Sequence, residues 1–349
     1  MAQRDRQQLY LAIRMSMRKD NSGFTMIEFA ISNLATMVIL GATFTLLNSI
    51  FAANAGMGEI MQTQQNIRVA MNTITRDITM AGTGLPNGGI AVPNGGPADA
   101  LTRPGAGGTM ATPNNTIAIL APGDGAGPTV NNIATDALTI TQIDQQSPVW
   151  TVLSASTSGI QIDFVQNVRA GTMQLFSGDL LVLTNANGSA LGCVTSVSMT
   201  TSRAFFADND PMNINQPDAA NGNIKSIANG DGTYPPTTAQ RFNLVTYYIN
   251  NDNAVHPRLM RALNAQAPQV IVDDIENLQF AFDLFDFQAN SGNSNQATTT
   301  SPNQIRSVSV SLTGRSPSVM QRSNKYFRFS LVSKVNVRNS TFRNRYTGS

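Results

Sequence analysis

The sequence predicts an α+β protein: one long N-terminal helix, able to span a membrane in its first half, packed on a mainly antiparallel β-sheet globular domain with long loops. Three observations predict it. Residues 29–53 are 25 in a row without a charge, and a membrane helix needs about 20 mostly apolar residues. From Glu59 to Met80, Ile60, Ile67, Met71, Ile74 and Ile78 fall on one helical stripe. The C-terminal third alternates apolar and polar residues with period two, as a sheet with one buried and one wet face requires.

The N-terminal stretch 1–23 carries Arg4, Arg6, Arg14, Arg18 and Lys19 against Asp5 and Asp20, and leaves 18 basic and 19 acidic residues to the rest. The formal charge of +2 therefore belongs to this stretch and predicts no nucleic-acid surface beyond it. Few basic residues follow the apolar run, so positive charge stays cytoplasmic and the C-terminal bulk is expected to be exported. Within the run, Ser32, Asn33, Thr36, Thr43, Thr45 and Asn48 are polar interruptions, which in membrane helices often mark packing against other helices. A secretory signal places its cleavage site after the apolar run. Here the order is reversed: Asn21-Ser22-Gly23-Phe24-Thr25-Met26-Ile27-Glu28 comes first, and Glu28 stands alone at the apolar edge. A carboxylate there is costly unless paired.

The stripe carries the helix on to Met80, where Ala81-Gly82-Thr83-Gly84-Leu85-Pro86 stops it. From Phe24 to Met80 it would be about 85 Å long. A separate anchor followed by an ordinary core helix predicts nearly the same contacts, and both readings stay open. Residues 82–115 hold nine glycines and five prolines and read as an extended or mobile loop. Strand-like runs follow at Thr116–Leu120, Asp136–Ile143, Gly159–Val165, Asp179–Thr184 and Ala190–Ser198. The polar stretch Asp208–Thr238 suggests a soft boundary, dividing a β-rich subdomain, 116–240, from a C-terminal sheet region, 241–349. In that region Val308, Val310 and Leu312 oppose Ser307, Ser309 and Ser311. Phe327, Phe329, Leu331, Val335 and Val337 share one face of a second strand. Leu278, Phe280, Phe282 and Leu284 suit a third, with Phe285 and Phe287 thickening the core, and Ala289–Asn303 reads as an exposed, disposable loop.

The string from Gly23 to Glu28 resembles the class III signal of type IV prepilins: glycine, then Phe, Thr, two hydrophobic residues and Glu. The resemblance implies that residues 1–23 are a leader removed by an inner-membrane prepilin peptidase after Gly23. It also implies N-methylation of the new terminus at Phe24. Glu28 then stands fifth, where the family keeps a glutamate that neutralises the terminal amine of a neighbouring subunit. Residues 24–81 become the pilin helix, with its membrane span at about 29–53. The family's common proline is absent where Thr45 stands, which implies a less kinked helix.

Further landmarks are similar to those of PilW-type minor pilins and occur in the same order. They are Arg76-Asp77-Ile78-Thr79-Met80-Ala81-Gly82, then Val245-Thr246-Tyr247-Tyr248-Ile249, Leu259-Met260-Arg261 and Ile275-Glu276-Asn277-Leu278-Gln279-Phe280. Val308 to Leu312 and the terminal Val335-Asn336-Val337-Arg338-Asn339 complete the series. The fold implied is pilin-like. The function implied is that of a minor pilin that joins, primes or caps assembly of a type IV pilus. Its partners would be prepilin peptidase, other minor pilins and the major pilin, the inner-membrane assembly platform, and membrane lipid before assembly. Two alternatives stay open: a pseudopilin of a type II secretion system, and a filament-borne protein for adhesion or DNA capture. Plain signal-anchor use of the same N-terminal string is a third.

Other chemistry finds little footing. His256 is the only histidine and Cys193 the only cysteine, which excludes histidine clusters, CxxC sites and a disulfide within the chain. A Ser-His-Asp triad would have to use His256 and lacks a nucleophile elbow. Asp283 and Asp286 could form an acid pair but read better as sheet-edge carboxylates. Asp208-Asn209-Asp210 and Asn229-Gly230-Asp231-Gly232 hint at calcium loops but read better as turns, since no Glu completes the pattern. The chain is therefore expected to have no cofactor and no enzymatic activity. After Asp286 come nine basic residues and no acid: Arg306, Arg315, Arg322, Lys325, Arg328, Lys334, Arg338, Arg343 and Arg345. With Tyr326 and Tyr346 they could meet nucleic acid. The favoured reading is that they neutralise the acidic 273–286 segment across a sheet.

Overall fold

The computed structural model describes residues 23–86, 89–94, 100–286, 289–321 and 323–339. The leader charges, Phe287, Arg322, Arg343, Arg345 and Tyr346 lie outside them. One helix, α1 (Met26–Met80), is followed by strands. In chain order these are β1 (Leu120–Gly123), β2 (Thr129–Val130), β3 (Ile133–Ala134), β4 (Ala137–Ile143), β5 (Trp150–Ala155), β6 (Gln161–Phe164), β7 (Leu180–Asn185) and β8 (Gly188–Cys193). Then come β9 (Ser196–Val197), β10 (Arg203–Phe205), β11 (Thr238–Asn250), β12 (Arg258–Leu263), β13 (Gln269–Asp273), β14 (Ile275–Asp286), β15 (Ser291–Gln296), β16 (Ile305–Met320) and β17 (Lys325–Asn336). The chain divides into two compact units at Gly58/Glu59.

The first unit is the leading part of α1. Its apolar side chains face outward, Phe24 at 83 % and Met26 at 90 % exposure, and the helix is long and apolar enough to cross a membrane. Its polar interruptions are partly satisfied within the helix. The hydroxyls of Thr36, Thr43 and Thr45 donate to the carbonyls of Ser32, Ile39 and Gly41 at 2.8–2.9 Å. A hydroxyl bonded back to the preceding turn presents little unsatisfied polarity to lipid. The helix runs through Thr45 without interruption.

The second unit begins with the rest of α1. Ile67, Met71, Ile74 and Ile78 are buried as the stripe predicts, joined by Thr63, Ala70 and Asp77, whereas Ile60 is only half-buried. They share one core with Leu278, Phe280 and Phe282 of β14 and Val308, Val310 and Leu312 of β16. The helix ends at a glycine that the site requires. Gly82 has φ +77°, its N–H donates to Thr141 O at 2.7 Å, and a Cβ there would lie 3.1 Å from Ile119.

Two main sheets form, antiparallel at every strand pair described. One has eleven strands around β11, which pairs with β4, β5, β7 and β12. The other runs β15-β14-β16-β17. β11 spans residue 240, so the expected divide between 116–240 and 241–349 falls inside a strand that joins both halves. The stretch 208–238 is folded down too, burying Met212, Ile214, Ile224 and Ile227.

Several expectations need correction. Among its described residues the 82–115 segment has no strand of its own, but it is not a free loop: Ile90, Val92, Leu101 and Met110 are buried in a second core. Its backbone is satisfied by scattered bonds such as Met110 N–H to Leu101 O and Ile117 N–H to Ile90 O. Ser291–Gln296, read as loop, is an edge strand on β14. Its polar residues carry no alternation to announce it. β5, β10 and β13 were also not foreseen, and the run at 116–120 becomes a strand only from Leu120. Ser307 keeps to the polar face opposite Val308 but is buried there, beside Asp283, to which its hydroxyl donates at 2.6 Å. Phe285 is half-buried and lies outside the apolar cores.

Candidate functional site

The helix start is built by Thr25. Its N–H and its hydroxyl donate to Glu28 Oε2 at 2.9 and 2.8 Å, and Glu28 N–H donates to Thr25 Oγ1 at 3.3 Å. This is a capping box, which satisfies donors that a helix otherwise leaves open. Sequence reasoning assigned Glu28 a charge and missed Thr25, although Thr-x-x-Glu is itself the signal. Gly23 is exposed, and a Cβ built there meets nothing within 4 Å. Among the described residues nothing packs closely enough to demand glycine at this position.

The landmarks spread along the sequence converge at the other end of α1. Asp77 is buried; Tyr247 Oη donates to its Oδ2 at 2.7 Å and Arg261 Nε at 3.0 Å, while Arg261 Nε also reaches Tyr247 Oη at 3.2 Å. Burial, then the Asp77 carboxylate, push the Tyr247 phenol far above its ordinary range. Burial would lower the Arg261 pKa, but Asp77 outweighs it and raises it. Asn339 Nδ2 donates to Ala81 O at 2.9 Å and Thr83 Oγ1 at 3.0 Å, clasping the exposed carbonyl end of the helix.

The C-terminal sheet is electrostatically closed. Glu276 accepts from Arg315 at 3.1 Å and from Arg328 at 2.6 Å, and Lys334 pairs with Asp283. Burial would raise the Glu276 pKa, but the Arg328 bond and the charges around it win and lower it. Asp283 is held down to about 2 by Lys334, Ser307 and the Asn295 amide. Tyr326 lies 4.3 Å under the Arg315 guanidinium, and Arg306 donates to the carbonyls of Asn303 and Phe285. The neutralised sheet face is thus present. Among the described basic residues of the C-terminal region, Arg306, Arg315, Arg328 and Lys334 are engaged within the sheet.

His256 Nδ1 meets Asp274 Oδ1 at 2.7 Å, and no described serine hydroxyl bonds to the ring. Asp210 is buried and accepts the amides of Met212, Ile214 and Asn215, and Asp231 accepts Thr233 N–H, so both suspected calcium loops are turns closed on themselves. Cys193 is buried, and burial raises its thiol pKa beyond any reactive range. Among the described residues no group of three or more His, Cys, Asp or Glu could hold a metal ion. Comparison with protein families, with curated proteins and with solved structures returned no match.

Proposed function

We propose that this chain is a minor pilin that joins, primes or caps assembly of a type IV pilus after prepilin-peptidase cleavage at Gly23. The observation that carries the reading is the start of α1. A Gly23-Phe24 step at which no described residue demands glycine leads into a capped helix, whose apolar side chains lie bare as far as the Gly58/Glu59 divide. Glycine without a folding reason fits a backbone that must enter a protease site. A bare apolar helix fits a segment that exchanges lipid for neighbouring helices. The chain then sits in the inner membrane with its N-terminus cytoplasmic and its β-domain periplasmic, and it docks with other minor pilins and the major pilin at the assembly platform. In this reading Glu28, held by Thr25 in the single chain, pairs with the amine at Phe24 of a neighbouring subunit on docking. The clasp of Asp77, Tyr247, Arg261 and Asn339 fixes the domain on its own helix.

The test is co-expression with a prepilin peptidase. The expected product is 23 residues shorter and begins at Phe24 by N-terminal sequencing, and Gly23→Glu blocks the shortening. Glu28→Ala leaves cleavage intact but reduces the protein in sheared filaments. Assembled protein beginning at Met1 or Ala2 would sink the reading.

A further inference from the structure

The sheet β15-β14-β16-β17 ends in two edge strands. Among the described residues β17 pairs with β16 alone and β15 with β14 alone. Each therefore turns a row of backbone N–H and C=O groups outward, a template that another strand can complete. Natural edges are often blunted by charged side chains, but those of β17 are drawn back: Arg328 and Lys334 reach over β16 to Glu276 and Asp283 of β14. The core is also unfinished at this edge. Val308, Val310 and Leu312 of β16 are wholly buried, whereas Phe329, Leu331 and Val335 of β17 pack on the same core and are only half-buried. Val332, on the other face, is 66 % exposed.

Charge and direction select the occupant. β17 holds Lys325, Arg328 and Lys334 and no acid, and the ten residues after Asn339 hold Arg343 and Arg345 and no acid. Like charges therefore count against both the β17 of a second copy and this chain's own tail. An antiparallel pair of β17 strands would also reverse one copy's helix, because the rear of α1 runs in the direction of β17. Thr63 meets Arg315, the cross-strand neighbour of Arg328, and Ala81 meets Asn339. β15 has neither fault. Ser291–Gln296 carries no charge and is exposed along its whole length. The sheet has four strands, antiparallel at every pair, so its two edges run in opposite directions. A copy set alongside in the same orientation brings its β15 antiparallel to β17, and the rear helices of the two copies point the same way.

We propose that copies of this chain associate head to tail, β17 of one pairing antiparallel with β15 of the next. The inference rests on the reading that α1 anchors every copy in one membrane. The contact joins two different edges, so it repeats from copy to copy instead of closing into a two-fold dimer. The experiment is cysteine cross-linking with a short bismaleimide on the full chain, expressed without other pilus proteins, in membranes and after an alkaline carbonate wash. Cys193 is buried, so the unsubstituted chain is the blank. A chain carrying both Val332→Cys and Ser294→Cys, at exposed positions, should give a ladder of dimer, trimer and larger species. The two singly substituted chains made together should give a mixed dimer, and each made alone should stay monomeric. Adding Asn293→Lys, which sets a new cation against β17, should remove the ladder without moving the melting temperature of the detergent-solubilised chain. A dimer from Val332→Cys alone, a ladder that survives Asn293→Lys, or no cross-link in carbonate-resistant membranes would overturn the inference while leaving the anchoring intact. Release of the chain by carbonate would instead sink the anchoring reading, and with it this one.

Discussion

At the scale of single residues, Asp77 shows how much depends on one carboxylate. It lies in the last turn of α1 with Tyr247 and Arg261 both donating to it. Asp77→Ala would leave the Arg261 guanidinium partly buried without its counter-charge, and breaking such a pair costs about 3–5 kcal/mol. Asp77→Asn keeps an acceptor for one donor and should cost less. Urea unfolding of the two variants checks the order, and equal losses would show that the charge alone, and not the retained acceptor, carries the effect. Asp283 makes a pH prediction. Its folded pKa of about 2 lies below the unfolded value of about 3.9. The stability it contributes is therefore complete above the unfolded pKa and is lost as pH falls toward 2. Glu276, also lowered, acts with the same sign. Asp136 and Asp210 act with the opposite sign: burial raises both, so their protonation favours the folded state. Asp283→Asn should flatten the fall in melting temperature between about pH 4 and pH 2, and parallel curves for variant and wild type would contradict the assignment.

At the scale of elements, the rear of α1 is a structural member of the β-domain and not merely its stalk. Ile67, Met71, Ile74 and Ile78 are buried to 3 % exposure or less. Burial of each contributes about 1.5–3 kcal/mol, and together they approach a domain's whole stability of about 5–15 kcal/mol. A chain beginning at Gln62 should fold and melt cooperatively. A chain beginning at Thr83 should lose most of that stability, along with the Asp77 pair. Equal melting temperatures for the two chains would show that the sheets hold without the helix.

At the scale of the whole molecule, the two units ask for different solvents. The unit up to Gly58 leaves Ile31, Leu34, Val38, Leu40, Phe44 and Leu46 each at least 60 % exposed, a surface that water does not favour. The unit from Glu59 buries most of its large apolar residues in its own cores. The full chain should therefore remain with membranes through an alkaline carbonate wash, whereas the chain beginning at Gln62 should appear in the soluble fraction. Release of the full chain by the wash would count against a spanning segment.

The sequence by itself determined the helix, its end at Gly82, its buried stripe and the β14-β16-β17 sheet. Each of these is written in a local period of 3.6 or 2, or in a single residue type needed at a terminus. The neutralisation of the C-terminal sheet was legible for a similar reason, since an acid-free run beside an acidic strand leaves few other partners. Only the tertiary structure decided what the landmarks do. Asp77, Tyr247, Arg261 and Asn339 are up to 262 positions apart, and their meeting follows from the sheet register and the helix packing, which no local pattern encodes. The same holds for the described parts of the 82–115 segment and the polar strand β15. There the backbone is ordered by partners elsewhere in the chain, because neither segment has an apolar period of its own to bury.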